Sequence, residues 1–336
     1  MSQLTVRRSA LDGWQSALIN AGYVVESLET TRSISGQLEG SDTHMSLAQF
    51  VDFSELLVRE TRDVSIPWLV GTRYDLSSLG EVGDAVNAAS SVGEALRRFV
   101  GFFELLQDCT DIRLDCGEQF ATLTYRILDP DIWPRHHDAM FSMGIMSQIL
   151  NGGDTNAWDQ IEFCFEADRS EMIGPIDHIV EAPCSFGADA NMMRFPVRYL
   201  DRSVQPKNQL APLSELNRSL VAKSRSTPLA NRLAQVVLRD LDRLTIDQDR
   251  VAREIGMSSR TMRRKLASSG LSFQQVLDEC RMRQAQFEFR VRPHLPIAEI
   301  ALKLGYSEHS TFTRAFHRWY GESPQAYRSR IALQTN

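Results

Sequence analysis

Between residues 245 and 330 the chain writes one short pattern twice, and the repetition limits what this end can fold into. The first copy is Val251-Ala252-Arg253-Glu254-Ile255-Gly256-Met257-Ser258, followed by Thr261, Met262, Arg263 and Leu266. The second is Ile300-Ala301-Leu302-Lys303-Leu304-Gly305-Tyr306-Ser307, followed by Thr311, Phe312, Arg314 and Phe316. Each reads as helix, tight turn, helix. The alanines are small where two helices must approach closely. Gly256 and Gly305 suit a turn that needs positive φ. Ser258 and Ser307 are the expected caps of the second helices. Met262 and Leu266, then Phe312, Phe316 and Trp319, are expected to face inward. The copies differ in one respect: Gly256 to Met262 is six steps, and Gly305 to Phe312 is seven.

With those positions inside, Arg260, Thr261, Arg263, Arg264 and Lys265 are left for the outer face of the first copy, and a basic outer face is what a groove-reading helix needs. In the second copy Glu308, His309, Ser310, Thr311, Thr313 and Arg314 face outward or start the helix. Between the copies, Ser272-Phe273-Gln274-Gln275 is a capping box. It opens a helix over residues 273–289, roughly 26 Å long at 1.5 Å per residue, stopped by Pro293. Successive major grooves on one face of DNA lie about 34 Å apart, so a strut of this length holds two readers on one side of a duplex. Before the first copy, Thr227-Pro228 is expected to cap and start a helix with Leu229, Leu233, Val236, Val237 and Leu241 buried.

Charge supports the same division. The net charge of −6 hides an asymmetry: from Arg225 onward there are 19 Lys+Arg against 11 Asp+Glu, a net +8, whereas residues 1–224 carry −14. Only the basic end is suited to phosphate. A length of 336 residues favours two domains, and no run approaches 18 apolar residues or forms a signal-peptide core, so a cytoplasmic chain without membrane contact is expected. Cys109, Cys116, Cys164, Cys184 and Cys280 show no C-x-x-C spacing, and their odd number argues against a disulfide framework. His136-His137 point about 100° apart on a helix, which argues for solvated or structural roles over joint ligation. No cofactor or metal is expected. Neither G-x-S-x-G, a P-loop nor G-x-G-x-x-G occurs, so the acidic N-terminal part reads as a binding module rather than an enzyme.

That part mixes helices and strands. Helices are expected over 10–21, from the Ser46 cap through Leu47, Phe50, Val51, Leu56 and Leu57, and over 88–108 with Val92, Leu96, Phe99, Val100, Phe103 and Leu106 as a core stripe. Residues 23–25 read as extended and residues 30–43 as a polar loop. Residues 112–114 and 121–127 alternate around Gly117-Glu118-Gln119 as a β-hairpin. Pro134 is expected to open a helix that stops at Asn151-Gly152-Gly153. Strands over 161–165, 184–186 and 193–195, with a helix over 171–181, complete an α+β domain with an antiparallel sheet. Leu213, Leu216 and Leu220 mark a short amphipathic helix in the connection, for interdomain packing or a dimer contact.

The run Arg260-Thr261-Met262-Arg263-Arg264-Lys265-Leu266, the turn Gly270-Leu271-Ser272-Phe273, Ile300-Ala301-x-x-Leu304-Gly305-Tyr306-Ser307, Phe312-x-Arg314-Ala315-Phe316 and Gly321-x-Ser323-Pro324-x-x-Tyr327-Arg328 together resemble the AraC/XylS family of bacterial transcription regulators. The N-terminal half resembles the effector-sensing, arabinose-binding-type domain of one branch. The carriers are the stripe before Phe103, the hairpin after it, residues 161–165, and Phe195-Pro196-Val197-x-Tyr199-Leu200. The resemblance implies a regulator, usually an activator that touches RNA polymerase and often a homodimer, in which a small-molecule effector changes how the basic end engages promoter DNA. The expected organisation is a sensing and dimerisation domain over 1–205, a linker over 206–227, and an all-α DNA-binding domain over 228–333 with two helix-turn-helix motifs joined by a linker helix.

The expected DNA-contacting residues are Ser258, Ser259, Arg260, Thr261, Arg263 and Arg264 of the first copy, and Glu308, His309, Ser310, Thr311, Thr313 and Arg314 of the second. For the effector, Phe103, Glu104, Tyr125, Trp133 and Trp158 are candidates, because aromatic walls with a polar group are common in ligand pockets. Two alternatives differ in the N-terminal domain: one that only dimerises, or a DNA-tethered repair enzyme. The latter would want a reactive cysteine near its N-terminus, and the first cysteine here is Cys109.

Overall fold

The computed structural model describes residues 4–20, 22–24, 28–30, 43–152, 160–172, 176–208, 211–241 and 246–334. The chain divides into two units, one of Gln3–Ile127 with Ile132–Lys223, the other built on Ser224–Asn336. The polar loop expected over 30–43 and the C-terminal half of the extended piece at 23–25 fall largely outside the described residues. Tyr23 and Val24 form no strand.

The first unit opens with β1 (Thr5–Arg7), α1 (Ser9–Asn20) and β2 (His44–Ser46), the two strands pairing antiparallel with Val6 opposite Met45. Along α1, Ala10, Leu11, Trp14, Ala17 and Leu18 recur at three and four, and all are buried. Next is α2 (Leu47–Thr61), with Ser46 at its N-cap position but making no side-chain cap bond. Its inner face carries Leu47, Phe50, Val51, Ser54, Leu57 and Val58. Leu56, expected inside, is 49% exposed, because it lies about 100° around the helix from Leu57. Then come α3 (Ile66–Thr72), α4 (Glu81–Asn87) and α5 (Val92–Phe102), the last capped by Ser91, whose Oγ accepts from the Glu94 amide at 3.2 Å. The stripe expected over 88–108 is buried at Val92, Leu96, Phe99, Phe103 and Leu106, and half-buried at Val100. It leaves α-helical geometry at Phe103, where a 3-10 turn begins.

The hairpin is β3 (Thr110–Cys116) and β4 (Phe120–Ile127), with Leu114 opposite Leu123. The helix expected from Pro134 is α6 (His136–Asn151). It starts two residues later because Arg135 holds a non-helical φ of −144°, and it ends on Gly152 at φ 53° as read from sequence. Then follow β5 (Glu162–Cys164), α7 (Ile176–Val180), β6 (Cys184–Ser185) and β7 (Asn191–Pro196). Of the helix expected over 171–181 only α7 forms, and residues 173–175 lie outside the described residues. The five-stranded sheet runs β3-β4-β7-β5-β6 and is antiparallel except for the β5–β6 pair. Ala121, Leu123, Tyr125 and Ile127 alternate along β4 onto one buried face, joined by Met193 and Phe195 of β7 and Phe163 of β5. The unit closes with α8 (Leu213–Ser226), whose Leu216 is fully buried in its core and whose Leu213 and Leu220 pack against that core.

The second unit is all-helical: α9 (Leu229–Arg239), α10 (Gln248–Glu254), α11 (Ser259–Ser268), α12 (Phe273–Val291), α13 (Ile297–Lys303), α14 (His309–Tyr320) and α15 (Pro324–Gln334). Pro228, not Thr227, sits at the N-cap of α9, with an extended ψ of 137°. The linker helix α12 has the expected capping box, both Ser272 and Gln275 bonds being present, and extends to 19 residues, about 29 Å. Leu233 and Val237 of α9, and Phe289 of α12, are fully buried in this unit.

Every residue of α6 except Gln148 and Asn151 is buried, so it needs close neighbours on all sides. The closest is α3, where Gly71 meets Gly144: a Cβ on Gly71 would stand 2.3 Å from the Phe141 carbonyl oxygen, and one on Gly144 3.0 Å from the Gly71 Cα. A methyl here meets backbone, which has little room to yield. Gly71→Ala is expected to cost about 2–3 kcal/mol and Gly144→Ala somewhat less, as overpacking does. Gly101→Ala on α5, where nothing lies within 4 Å, is expected to be neutral or slightly stabilising. Urea unfolding of the three variants checks the order, and equal midpoints would remove the crossing as a constraint.

Candidate functional site

In the first copy α10 ends at Glu254, Gly256 turns the chain at φ 76°, and Ser258 caps α11, its Oγ accepting from the Thr261 amide at 3.3 Å. Ala252 is fully buried, as close helix approach requires. Met262 and Leu266 face inward at 0% and 2% exposure. This leaves Arg260, Arg263, Arg264 and Lys265 exposed, and none of the four side chains has an ion-pair or hydrogen-bond partner among the described residues. Thr261 is half-buried, and the Ser259 hydroxyl bonds Asp249 of α10.

The second copy turns at Gly305, φ 71°, with Ala301, Phe312 and Phe316 buried and Trp319 half-buried. Here the expected cap is displaced. Glu308 occupies the N-cap of α14 and makes no side-chain cap bond, so Ser307 lies outside the helix. The seventh step is therefore taken up in the turn. From N-cap to core is four residues in both copies, Ser258 to Met262 and Glu308 to Phe312. At matching positions the first copy has Arg260, Arg263 and Arg264, and the second has Ser310, Thr313 and Arg314. Glu308, His309, Ser310, Thr311 and Arg314 are exposed and Thr313 is half-buried. Ser310 donates to Glu308 at 3.2 Å, Thr313 to the His309 carbonyl at 3.0 Å, and Arg314 to Thr311 at 3.3 Å.

One device recurs in both copies and was not read from sequence. Arg232 of α9 donates to the carbonyl of Ile255 at 2.7 Å, and Arg281 of α12 donates to the carbonyl of Leu304 at 2.9 Å. Ile255 and Leu304 are the residues just before the turn glycines. A cation at these carbonyls satisfies a helix C-terminus and opposes its dipole. Arg281 also lies over the Tyr306 ring, 4.3 Å from its centroid. These arginines set the turn rather than adding to the exposed charge.

The effector candidates fall differently. Phe103 and Tyr125 are buried in edge contact, centroids 6.0 Å apart. Trp133 is half-buried with its ring against His136 at 4.7 Å, and Arg135 lies 5.4 Å from the Trp133 ring centroid. Glu104 is exposed, and Trp158 lies outside the described residues. Phe103, Glu104, Tyr125 and Trp133 are not among the described residues that line the cleft of about 560 Å3 at the far end of the sheet, walled by Glu118, Phe120, Gln160, Glu162, Pro183 and Arg198.

Phe103, Tyr125 and Trp133 border a buried polar cluster at the N-terminus of α6. Far from being solvated, His136 and His137 are both 7% exposed. Glu55 of α2 accepts from the His137 backbone amide at 3.1 Å, and its other oxygen lies 2.6 Å from His137 Nδ1. It thereby serves an orphan amide of the helix start. Burial raises the Glu55 pKa, but the His137 hydrogen bond and charge outweigh it, and the net shift is down. Arg135 makes two bonds to Glu166, at 2.9 and 2.6 Å. Tyr125 donates to Asp138 Oδ2 at 2.7 Å and accepts from Gln107 at 3.0 Å. Asp138 is fully buried, and its Oδ1 has no hydrogen-bond partner among the described residues. Burial first, with Glu55 adding to it, pushes the Asp138 carboxyl up to about 7, while burial lowers His136 to about 4. The signal available in sequence was Arg135-His136-His137-Asp138, four polar residues leading an otherwise apolar helix.

Two helix-turn-helix copies on a rigid strut, one with an exposed cationic helix, define a DNA-binding regulator with a separate N-terminal unit. Comparison with known proteins gives the family. Residues 34–204 match the arabinose-binding domain of AraC transcription regulator, N-terminal, and residues 251–330 match a helix-turn-helix domain. The ornithine utilization regulator of Pseudomonas aeruginosa is 45% identical over 83% of this chain and 84% of its own length. VirS, an HTH-type transcriptional regulator of Mycobacterium tuberculosis, is 32% identical over 86% of this chain and 85% of its own. The crystal structure of the transcriptional regulator CdpR from Pseudomonas aeruginosa aligns over 96% of this chain and 98% of that one, at 20% identity and a TM-score of 0.42. The chain belongs to the AraC family of transcription regulators, with an arabinose-binding-type N-terminal domain.

Two outcomes follow for stability. Ser258→Ala is expected to lower it by about 1 kcal/mol through loss of the cap, and Ser307→Ala to leave it within ~0.5 kcal/mol. Denaturant midpoints test this, and equal losses would return Ser307 to the cap. Asp138 has a folded pKa raised from 3.8 to about 7, so the folded state holds more protons and stability falls as pH rises between those values. Asp138→Asn should therefore stabilise by up to ~4 kcal/mol at pH 8. The gap should close toward pH 4, as read by unfolding at both pH values.

Proposed function

We propose that this chain is an effector-controlled activator: a small molecule bound by the N-terminal unit changes how the two helix-turn-helix copies engage promoter DNA. The observation that carries the DNA-reading half is the outward face of α11, where Arg260, Arg263, Arg264 and Lys265 stand exposed and, among the described residues, unpaired. Free guanidinium groups on the first turns of a helix are suited to phosphates and to guanine edges in the major groove. Ser258 and Ser259 flank that face, and Thr261 completes it. The second copy offers His309, Ser310, Thr311, Thr313 and Arg314, with a hydroxyl in place of a cation at two of the three matching positions and the Glu308 carboxylate at its entrance. That face attracts phosphate less, so the first copy dominates affinity and the second adjusts it. The 19 residues of α12, about 29 Å, hold the copies close to the groove repeat of about 34 Å.

The sensing half is supported by the arabinose-binding-type match over residues 34–204 and by the aromatic and polar cluster around Tyr125 and Asp138. The name of the ornithine utilization regulator puts ornithine among the first effectors to test. Contact with RNA polymerase and assembly as a homodimer belong to the same reading.

Arg260→Ala and Arg264→Ala are each expected to weaken promoter binding by about 1–3 kcal/mol where the lost contact is to a base. A phosphate-only contact instead weakens all sequences alike and flattens the salt dependence. An alanine block at Arg260, Arg263 and Arg264 should cost more affinity than one at His309, Thr313 and Arg314. Gel-shift titrations at fixed salt measure both, and equal losses would sink the asymmetry.

A further inference from the structure

We propose that Asp138 is the anchor for the ammonium group of an alkylamine effector, held between α6 and the inner face of β4. The inference rests on the effector-sensing reading and adds a ligand class and a residue to it. Within the buried cluster the other acids are matched: Glu55 by His137 at 2.6 Å, and Glu166 by Arg135 in a two-bond pair. Asp138 alone of the three is in no ion pair among the described residues, Arg135 acting on it only at longer range, and its Oδ1 has no hydrogen-bond partner there while 0% of the residue is exposed. A buried carboxylate outside any ion pair lowers stability, and a fold that keeps one at its centre with an oxygen unsatisfied marks a candidate binding group.

The geometry also selects the cation. Asp138 Oδ2 already accepts from Tyr125 at 2.7 Å, which leaves one acceptor atom. A guanidinium prefers both oxygens of a carboxylate and would compete with the Tyr125 hydroxyl for Oδ2, whereas an ammonium is a point charge whose three donors can each meet a single acceptor, Oδ1 among them. Phe103, edge-on to Tyr125, and Leu123 and Ile127 on the same face of β4 supply apolar surface for an alkyl stem. Of the residues leading into α6, Trp133 and Pro134 are half-buried, the Trp133 ring lying against His136 beside the cluster.

Proton linkage gives the binding its own signature. Asp138 is faced by Tyr125 from β4, by Glu55 from α2, and by Arg135 at the start of its own helix. His136, lowered to about 4, stays neutral around pH 7. Because a cation needs the ionised carboxyl, affinity should fall about tenfold for each pH unit below 7 and level off above it.

The test is a thermal-shift and calorimetric titration of the full chain with putrescine, 4-aminobutyrate, 4-guanidinobutyrate, succinate and L-arabinose. The proposal expects saturable stabilisation by putrescine, a smaller response to 4-aminobutyrate, none to the other three, and the stated pH profile. It expects Asp138→Asn to lose the response. Stabilisation by succinate or arabinose without any by the amines would overturn the cation assignment and leave the effector reading standing. Silence to all five overturns the proposal, and a wider metabolite screen then decides the effector reading by itself. Amine binding that is independent of pH, or intact in a folded Asp138→Asn, places the ligand elsewhere. If that variant does not fold, the wild-type pH profile decides.

Discussion

The backbone contact between Gly71 and Gly144 sets how near α3 comes to α6, and the N-terminal unit is arranged around that approach. A helix buried on nearly its whole circumference cannot offer water to its own polar side chains. Every polar residue at its N-terminus must therefore find a protein partner or remain unsatisfied. Glu55 and Glu166 answer for His137 and Arg135, and Tyr125 answers for half of Asp138. The tight crossing and the polar cluster belong to the same helix. One fixes the position of α6, and the other leaves its first turn chemically unfinished.

In the DNA-binding unit the same economy appears twice. Each turn glycine follows a carbonyl held by an arginine from a preceding longer helix, Arg232 for the first copy and Arg281 for the second. Charge spent in this way orients the reading helix, whereas charge left unpaired on α11 faces outward. Net charge alone cannot separate the two uses, because both kinds of arginine count equally toward the +8 of this end.

What was legible in the sequence follows the range of the interaction. The hairpin of β3 and β4, the Ser272 capping box, the Gly152 stop and the Gly256 and Gly305 turns depend on residues a few positions apart, and each was read where it occurs. Ser307 was misread by that same locality: a serine two places after the glycine copied the first motif, but the extra residue moved the helix start to Glu308. Thr227 failed similarly, since Pro228 holds extended geometry and passes the helix start to Leu229. The polar cluster was not legible, because Glu55 and His137 are 82 residues apart and Arg135 and Glu166 are 31 apart. Nothing in the sequence pairs them. Tyr125 and Phe103 were chosen on residue type alone, and their contact is a product of the sheet meeting the end of α5.

The additional residue ahead of α14 has one more implication. Because the turn absorbs it, both reading helices keep a common phase relative to their caps: core at the fourth and eighth residues, outward side chains at the second, fifth and sixth. Turn length and reading surface are therefore separate variables. Sequence preference can drift in one copy by exchanging two or three side chains, with no helix rotated and no core repacked, so a duplicated reader of this kind is free to diverge into an asymmetric one.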